Sequence, residues 1–242
     1  MERHLLIDIG NSSTCKIAVL ENGHISLCTR TDTGTLAGTA REMSGKYGKF
    51  SCICLSSVRN DNPELETALA RSCSRFVRIS GTMQNLPITI GYSTPETLGA
   101  DRIAAAAGAH ALFPQDDCIV FDFGTAITID FITRKGHFMG GNISPGMRMR
   151  FEAMHHYTNK LPLVSPSTPE MPAGTSTSSA INSGIVLGIM FEVQKYAETF
   201  PGHKIIFTGG DAIFFAKKLN YPIFVVCNLI FIGLAHISQI KK

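Results

Sequence analysis

The stretch HLLIDIGNSSTCKIAVLENG (residues 4–23) is an apolar strand that ends in Asp8, crosses the small polar loop Gly10-Asn11-Ser12-Ser13 and re-enters an apolar alternation. A Walker loop or a dinucleotide fingerprint would place a helix N-terminus behind the glycines. Here a second strand follows instead. The same grammar returns in CIVFDFGTAITIDFITRKGHFMGGNI (residues 118–143): an apolar strand, Asp-x-Gly with small polar residues, a second strand, a glycine turn and a third strand-like segment. Asp8 and Asp122 stand 114 residues apart, and the turn glycines Gly23 and Gly136 stand 113 apart. Two hairpins in matching register predict a duplicated α/β protein. The expected lobes are residues 1–115 and 116–242, each a mixed sheet that opens with a strand meander and is flanked by helices.

The segments between the hairpins fit that division. TLAGTAREMSGKYG reads as a helix, FSCICLSSV as a buried strand, and NPELETALARSCS as a helix capped by Asp61 or Asn62 with Pro63 in its first turn. FVRISGT reads as a strand and GADRIAAAAGAHALF as a small-residue helix. In the second half, MRMRFEAMHHYTNKL and SSAINSGIVLGIMFEVQKYAETF read as helices, KIIFTGG and YPIFVVCN as strands, and residues 211–219 and 228–240 as further helices. LVSPSTPEMPAGTSTSS is a long loop, read either as a surface connection or as part of a substrate site.

Composition narrows the function classes. With 22 Lys plus Arg against 19 Asp plus Glu, spread without a dense cluster, the chain lacks the basic stripe of a nucleic-acid binder. A 44% hydrophobic content supports a substantial core. The seven cysteines contain no Cys-x-x-Cys and lie mostly in apolar runs, which predicts reduced thiols in a cytoplasmic protein. MERHLLIDIG lacks the pattern of a signal peptide, and IFVVCNLIFIGLAHI (223–237) is interrupted by Asn228 and too short for a bilayer, so no membrane segment is expected.

Two Asp-x-Gly turns at strand tips, one per lobe, are expected to face each other across a cleft. Glycine lets backbone approach a ligand closely, so that loop amides and the hydroxyls of Ser12, Ser13 and Thr125 can donate to phosphate oxygens. Asp8 and Asp122 can hold the cations that accompany a triphosphate, and Lys16 lies near enough to reach a phosphate. The plain alternative for each is a simple turn, and matched duplication argues against it. Asp101, ahead of an alanine-rich helix, is either a helix N-cap or a chemical group. The Arg102 guanidinium either pairs with a surface carboxylate or grips a small acid. His155 and His156 read as structural.

The grammar resembles the actin, hexokinase and Hsp70 superfamily, whose lobes are actin- or ribonuclease-H-like. YSTPETLGADRIAAAAGA, FDFGTAITID, GGNISPGMRMRFEAMHHYTNKLP, GTSTSSAINSG and FTGGDA together resemble a type III pantothenate kinase, in order and across essentially the whole chain. The resemblance implies an ATP-dependent enzyme that phosphorylates the primary hydroxyl of pantothenate to 4′-phosphopantothenate, the first step of coenzyme A biosynthesis. It implies ATP-phosphate contacts from Asp8, Ile9, Gly10, Asn11, Ser12, Ser13, Thr14, Cys15 and Lys16, with Thr125 adding another. Asp122 would bind a monovalent cation, K⁺ or NH₄⁺, and Asp8 would meet the Mg²⁺ of ATP. Gly99, Ala100, Asp101 and Arg102 would hold pantothenate beside Tyr92, with Asp101 the general base.

Thr177 would contact pantothenate from the partner subunit of a homodimer with a shared active site. Here Ser176 replaces the family's asparagine and Thr175 its usual basic residue. The superfamily reading sets Gly209-Gly210 beside the adenosine. The rival readings are a superfamily kinase for a sugar or an acetate-like acid, and a nucleotide-binding regulatory protein that has lost the chemistry.

Overall fold

The computed structural model describes residues 2–11 and 13–240. The chain forms two compact units, Met1–Gln115 with Ile132–Gly140 and Asn228–Lys242, and Asp116–Phe131 with Gly141–Cys227. The chain first leaves the first unit between residues 115 and 116. It returns twice, however, so the second unit is not a continuous 116–242 segment.

In the first unit, β1 (Arg3–Ile9), β2 (Thr14–Glu21) and β3 (His24–Asp32) form the expected meander, with Asn22 (φ 51°) and Gly23 (φ 80°) making the two-residue turn between β2 and β3. Both turn residues are left-handed, the conformation that matches the twist of a tight hairpin. β4 (Phe50–Ser57) and β5 (Cys73–Arg78) extend the sheet in parallel, giving the order β3-β2-β1-β4-β5. Central β1 buries Leu5, Leu6 and Ile7 completely, because a strand covered on both faces needs a continuous apolar run. Between these strands lie α1 (Leu36–Tyr47) and α2 (Pro63–Arg71). Asn62 is the α2 cap: its side chain accepts from the Leu65 amide at 3.0 Å, whereas Asp61 pairs with Arg78.

A short strand, β6 (Thr89–Ile90), and a single 3-10 turn (Pro95–Thr97) precede α3 (Ala100–Leu112), and neither was expected from the sequence. The chain's last helix, α7 (Leu229–Gln239), packs on α3, β1 and β4. Glycine makes that packing close: a Cβ on Gly233 would run into the Ala104 carbonyl, and one on Gly108 into the Leu229 carbonyl. Alanine at either position would push the two helices apart.

In the second unit, β7 (Cys118–Phe123), β8 (Ala126–Ile132) and the latter part of β9 (His137–Pro145) form the second meander. β10 (Lys204–Gly209) pairs in parallel with β7, and β11 (Ile223–Val225) with β10. The order β9-β8-β7-β10-β11 repeats that of the first sheet strand for strand, which makes the duplication a matter of topology as well as of sequence grammar. The opening residues of β9 belong to the first unit, where they pair with β6.

Helices α4 (Met147–His156), α5 (Thr177–Thr199) and α6 (Ala212–Ala216) complete the second unit. Its core is aromatic, with Phe123 4.8 Å from Phe207 and 5.0 Å from Phe215 between ring centroids. α5 begins one residue before the SSAINSG segment. Ser176 caps it, accepting from the Ser179 amide at 3.2 Å while the Ser179 hydroxyl accepts from the Ser176 amide at 2.9 Å. This reciprocal capping draws the end of the long loop into a helix. α6 spans five residues and β11 three, both shorter than their sequence patterns.

Candidate active site

Asp8 is the penultimate residue of β1, opposite Lys16 on β2 and Ser56 on β4. The Ser56 hydroxyl donates to Asp8 Oδ1 at 3.2 Å. Burial pushes the Asp8 carboxyl up to about 6; Lys16 and the Ser56 hydrogen bond oppose the shift, and the charge of Asp101 adds to it. The two acids therefore share one electrostatic field within the first unit.

Gly10 is half-buried, Asn11, Ser13 and Thr14 are exposed, and Lys16 is half-buried. Ile9 and Cys15 are buried, and the Cys15 thiol donates to the Thr31 carbonyl, so these two residues can offer a ligand only their backbone. Ser12 lies outside the described residues.

Asp101 is the second residue of α3. The helix N-cap is Gly99, two residues earlier, so the N-cap alternative for Asp101 is corrected. Asp101 Oδ1 accepts the Arg102 amide at 2.8 Å, and burial raises its carboxyl above the usual range against the opposing pull of that bond and of the Arg102 charge. Ala100 is buried behind it.

Arg102 is only 5% exposed, and its guanidinium carbon lies 5.6 Å from the Tyr92 ring centroid and 5.7 Å from that of Phe138. Two aromatic faces thus hold one cation in place. Tyr92 and Arg102 lie in the motif that the sequence offers, whereas Phe138 lies outside it. Phe138 joins them because its strand start pairs with β6, and the Gly91 amide donates to the Phe138 carbonyl at 2.9 Å.

In the second unit, Asp122 repeats the position of Asp8: penultimate in β7 and opposite the hydroxyl residue Thr208 on β10. Three chain segments close on this strand tip. Gly209 (φ 90°) sits so close that a Cβ would meet Asp122 Oδ1 and the Phe123 carbonyl. Gly146 donates its amide to the Thr125 carbonyl at 3.1 Å, and a Cβ there would strike the Gly124 and Thr125 carbonyls. The Asp211 amide donates to the Phe123 carbonyl at 3.3 Å, and burial raises the Asp211 carboxyl. The side chain of Thr125 is exposed, as is that of Thr177 at the first position of α5.

Among the described residues no cluster of three or more His, Cys, Asp or Glu could hold a metal ion. A lone strand-tip carboxylate with a neighbouring hydroxyl fits a magnesium ion that arrives on phosphate oxygens and keeps most of its waters. No helix of the described residues is long and apolar enough to cross a membrane.

This duplicated architecture recurs among solved structures. It is similar to the inorganic polyphosphate/ATP-glucomannokinase of Arthrobacter sp. strain KM, with a TM-score of 0.53 at 14% identity over 98% of this chain and 99% of that one. The model of the type III pantothenate kinase family matches residues 4–199. The chain is 36% identical to the type III pantothenate kinase of Porphyromonas gingivalis over 246 aligned residues, 99% of each chain. It is 44% identical to that of Cytophaga hutchinsonii over 191 residues, covering 76% of this chain and 79% of the relative. The chain belongs to the type III pantothenate kinase family. It is an ATP-dependent kinase that phosphorylates the primary hydroxyl of pantothenate to 4′-phosphopantothenate, opening coenzyme A biosynthesis.

Proposed function

We propose that Asp101 is the general base of this reaction and that Arg102 binds the pantothenate carboxylate. The observation that carries the assignment is the cluster in the first unit: buried Asp8 and half-buried Asp101 in one field, beside a buried guanidinium fixed between Tyr92 and Phe138. A fork held by two rings loses little freedom on meeting a planar carboxylate. A carboxylate raised by burial is a stronger base for the acceptor hydroxyl than an exposed one. Gly99 and Ala100 bring the α3 backbone up to the acceptor, and Tyr92 lines its pocket.

Asp8, Ile9, Gly10, Asn11, Ser12, Ser13, Thr14, Cys15 and Lys16 bind the ATP phosphates, and Thr125 makes a further ATP contact. Phosphoryl transfer asks a protein mainly for positioning and charge neutralisation. Lys16 supplies positive charge, and Asp8 holds the magnesium that screens the phosphates. Asp122 holds a monovalent cation, K⁺ or NH₄⁺. Gly209-Gly210 approach the adenosine.

The enzyme acts in the cytoplasm as a homodimer whose partner subunit supplies Thr177 to pantothenate. The apolar α5 supports the dimer: Phe191 is 60% exposed on it and wants cover. A coupled assay of ADP release tests the assignments, run with pantothenate, a sugar and acetate, each with and without potassium. Turnover with pantothenate alone, enhanced by potassium, is the expected result. Turnover with the other acceptors would displace Arg102 from its role, and nucleotide binding without turnover would leave a regulatory protein.

A further inference from the structure

We propose that Arg59, just beyond the end of β4, is a positioning residue that shapes the phosphate-binding loop from its outer side; the proposal rests on the assignment of residues 8–16 to the ATP phosphates. The Arg59 guanidinium reaches back to the loop with two of its nitrogens and to the neighbouring Thr33 with the third. Nε donates to the Gly10 carbonyl at 3.1 Å, Nη2 to the Asn11 carbonyl at 3.3 Å, and Nη1 to the Thr33 hydroxyl at 3.5 Å. Thr33 completes the clamp, donating its amide to the Ser13 carbonyl at 3.0 Å and its hydroxyl to the same oxygen. The base of the clamp is anchored in turn, because the Val58 amide donates to the Ile9 carbonyl at 3.1 Å.

The carbonyls of Ile9, Gly10, Asn11 and Ser13 are therefore all engaged by the β4 end and the segment after β3. In a planar trans peptide the C=O and N–H of one unit point to opposite sides. Pinning the Ile9, Gly10 and Ser13 carbonyls turns the amides of the same peptide units, those of Gly10, Asn11 and Thr14, to the opposite side, where an anion would meet them. The loop has no helix behind it to do this, and Arg59 takes that part. Its planar fork matches two successive carbonyls, a geometry that a lysine ammonium cannot reproduce.

The test is steady-state kinetics on the intact enzyme for Arg59→Ala, Arg59→Lys and Asp8→Asn. In Arg59→Ala the KM for ATP is expected to rise about 10- to 100-fold, the size of one or two charge-assisted hydrogen bonds, with the KM for pantothenate within roughly twofold of the parent. Arg59→Lys keeps the charge but loses the fork, and should resemble the alanine variant. Millimolar guanidinium should restore part of the ATP affinity of Arg59→Ala. If that variant does not fold, Thr33→Val provides the second probe, since it removes one guanidinium acceptor and one bond to Ser13 and should raise the KM for ATP in the same selective way. Parent-like ATP kinetics in Arg59→Lys, or an equal loss for both substrates, would overturn the proposal while an impaired Asp8→Asn keeps the phosphate-loop assignment standing. Unimpaired ATP use in Asp8→Asn would overturn both.

Discussion

The Asp101 carboxylate folds back over Gly99 so closely that a Cβ at residue 99 would stand 2.6 Å from its Oδ1. Gly99 itself has an ordinary backbone (φ −56°, ψ 132°), so alanine there strains nothing but this contact. Gly99→Ala should fold, at a cost of no more than about 1 kcal/mol from the changed cap. The side chain of Asp101 must then turn aside, and turnover should drop by about 10²-fold, as displacement of a reacting group by an ångström commonly does. A cycle with Asp101→Asn checks the cause: the second substitution should add little to the first.

Asp101→Asn separates charge from structure. Asparagine can still accept the Arg102 amide, and it removes a half-buried charge whose desolvation raises the acid's pKa. The variant should melt at the parent temperature or slightly above it at pH 7. Turnover should fall about 10²- to 10⁴-fold, the range for a positioned base, with the lower end favoured by a loose phosphoryl-transfer transition state. A lower melting temperature with retained turnover would make Asp101 a structural residue.

Asp8 links stability to pH. Its folded-state carboxyl lies at about 6, against 3.8 for an ordinary aspartate, so its stabilising contribution is complete below about pH 4 and lost as the pH rises through 6. The loss amounts to about 3 kcal/mol at pH 7 in the ligand-free protein. Asp8→Asn should remove this part of the pH dependence and raise the melting temperature at neutral pH. It should also impair ATP use, because the amide no longer draws a cation. Calorimetry between pH 4 and 8, alongside ATP titrations, measures both effects.

The monovalent cation is read out by salt substitution. With Asp122 holding K⁺ or NH₄⁺, the rate in sodium should be much lower than in potassium or ammonium, and Asp122→Asn should erase the difference. Equal parent rates in all three salts at constant ionic strength would remove the cation from this residue.

Thr177 tests the shared site. Thr177→Ala leaves the Ser176–Ser179 capping pair intact, so the helix should persist. Binding of pantothenate should weaken and that of ATP should hold, as isothermal titration would show. A fully active monomer in sedimentation would end the shared-site reading.

Much of the architecture was legible in the chain. Asp8 and Asp122 announced themselves because a carboxylate at the end of an apolar run is a local pattern, and the spacing of Gly23 and Gly136 repeated it in register. The helix of α2 could be read from Asn62 and Pro63, since caps act within one turn. The cap of α3 was less legible: Gly99 and Asp101 both lie at its start, and only the backbone angles decide which residue stands outside the helix. Ser176 and Ser179 formed a capping box inside what looked like loop, because a run of hydroxyl residues gives several registers equal local merit.

Residue type and short spacing alone specified the duplicated hairpins, the two strand-tip acids, the glycine turns and the GADR segment. The tertiary structure alone decided which distant groups stand beside them. It set Ser56 against Asp8 through the β1–β4 register, and it brought Phe138 to Arg102 through a two-residue strand. It returned α7 to the first unit by close packing on α3. The physical reason is range: periodicity and capping act within a few residues, whereas a register between parallel strands or a glycine-mediated helix crossing depends on shapes that meet only after the chain has closed.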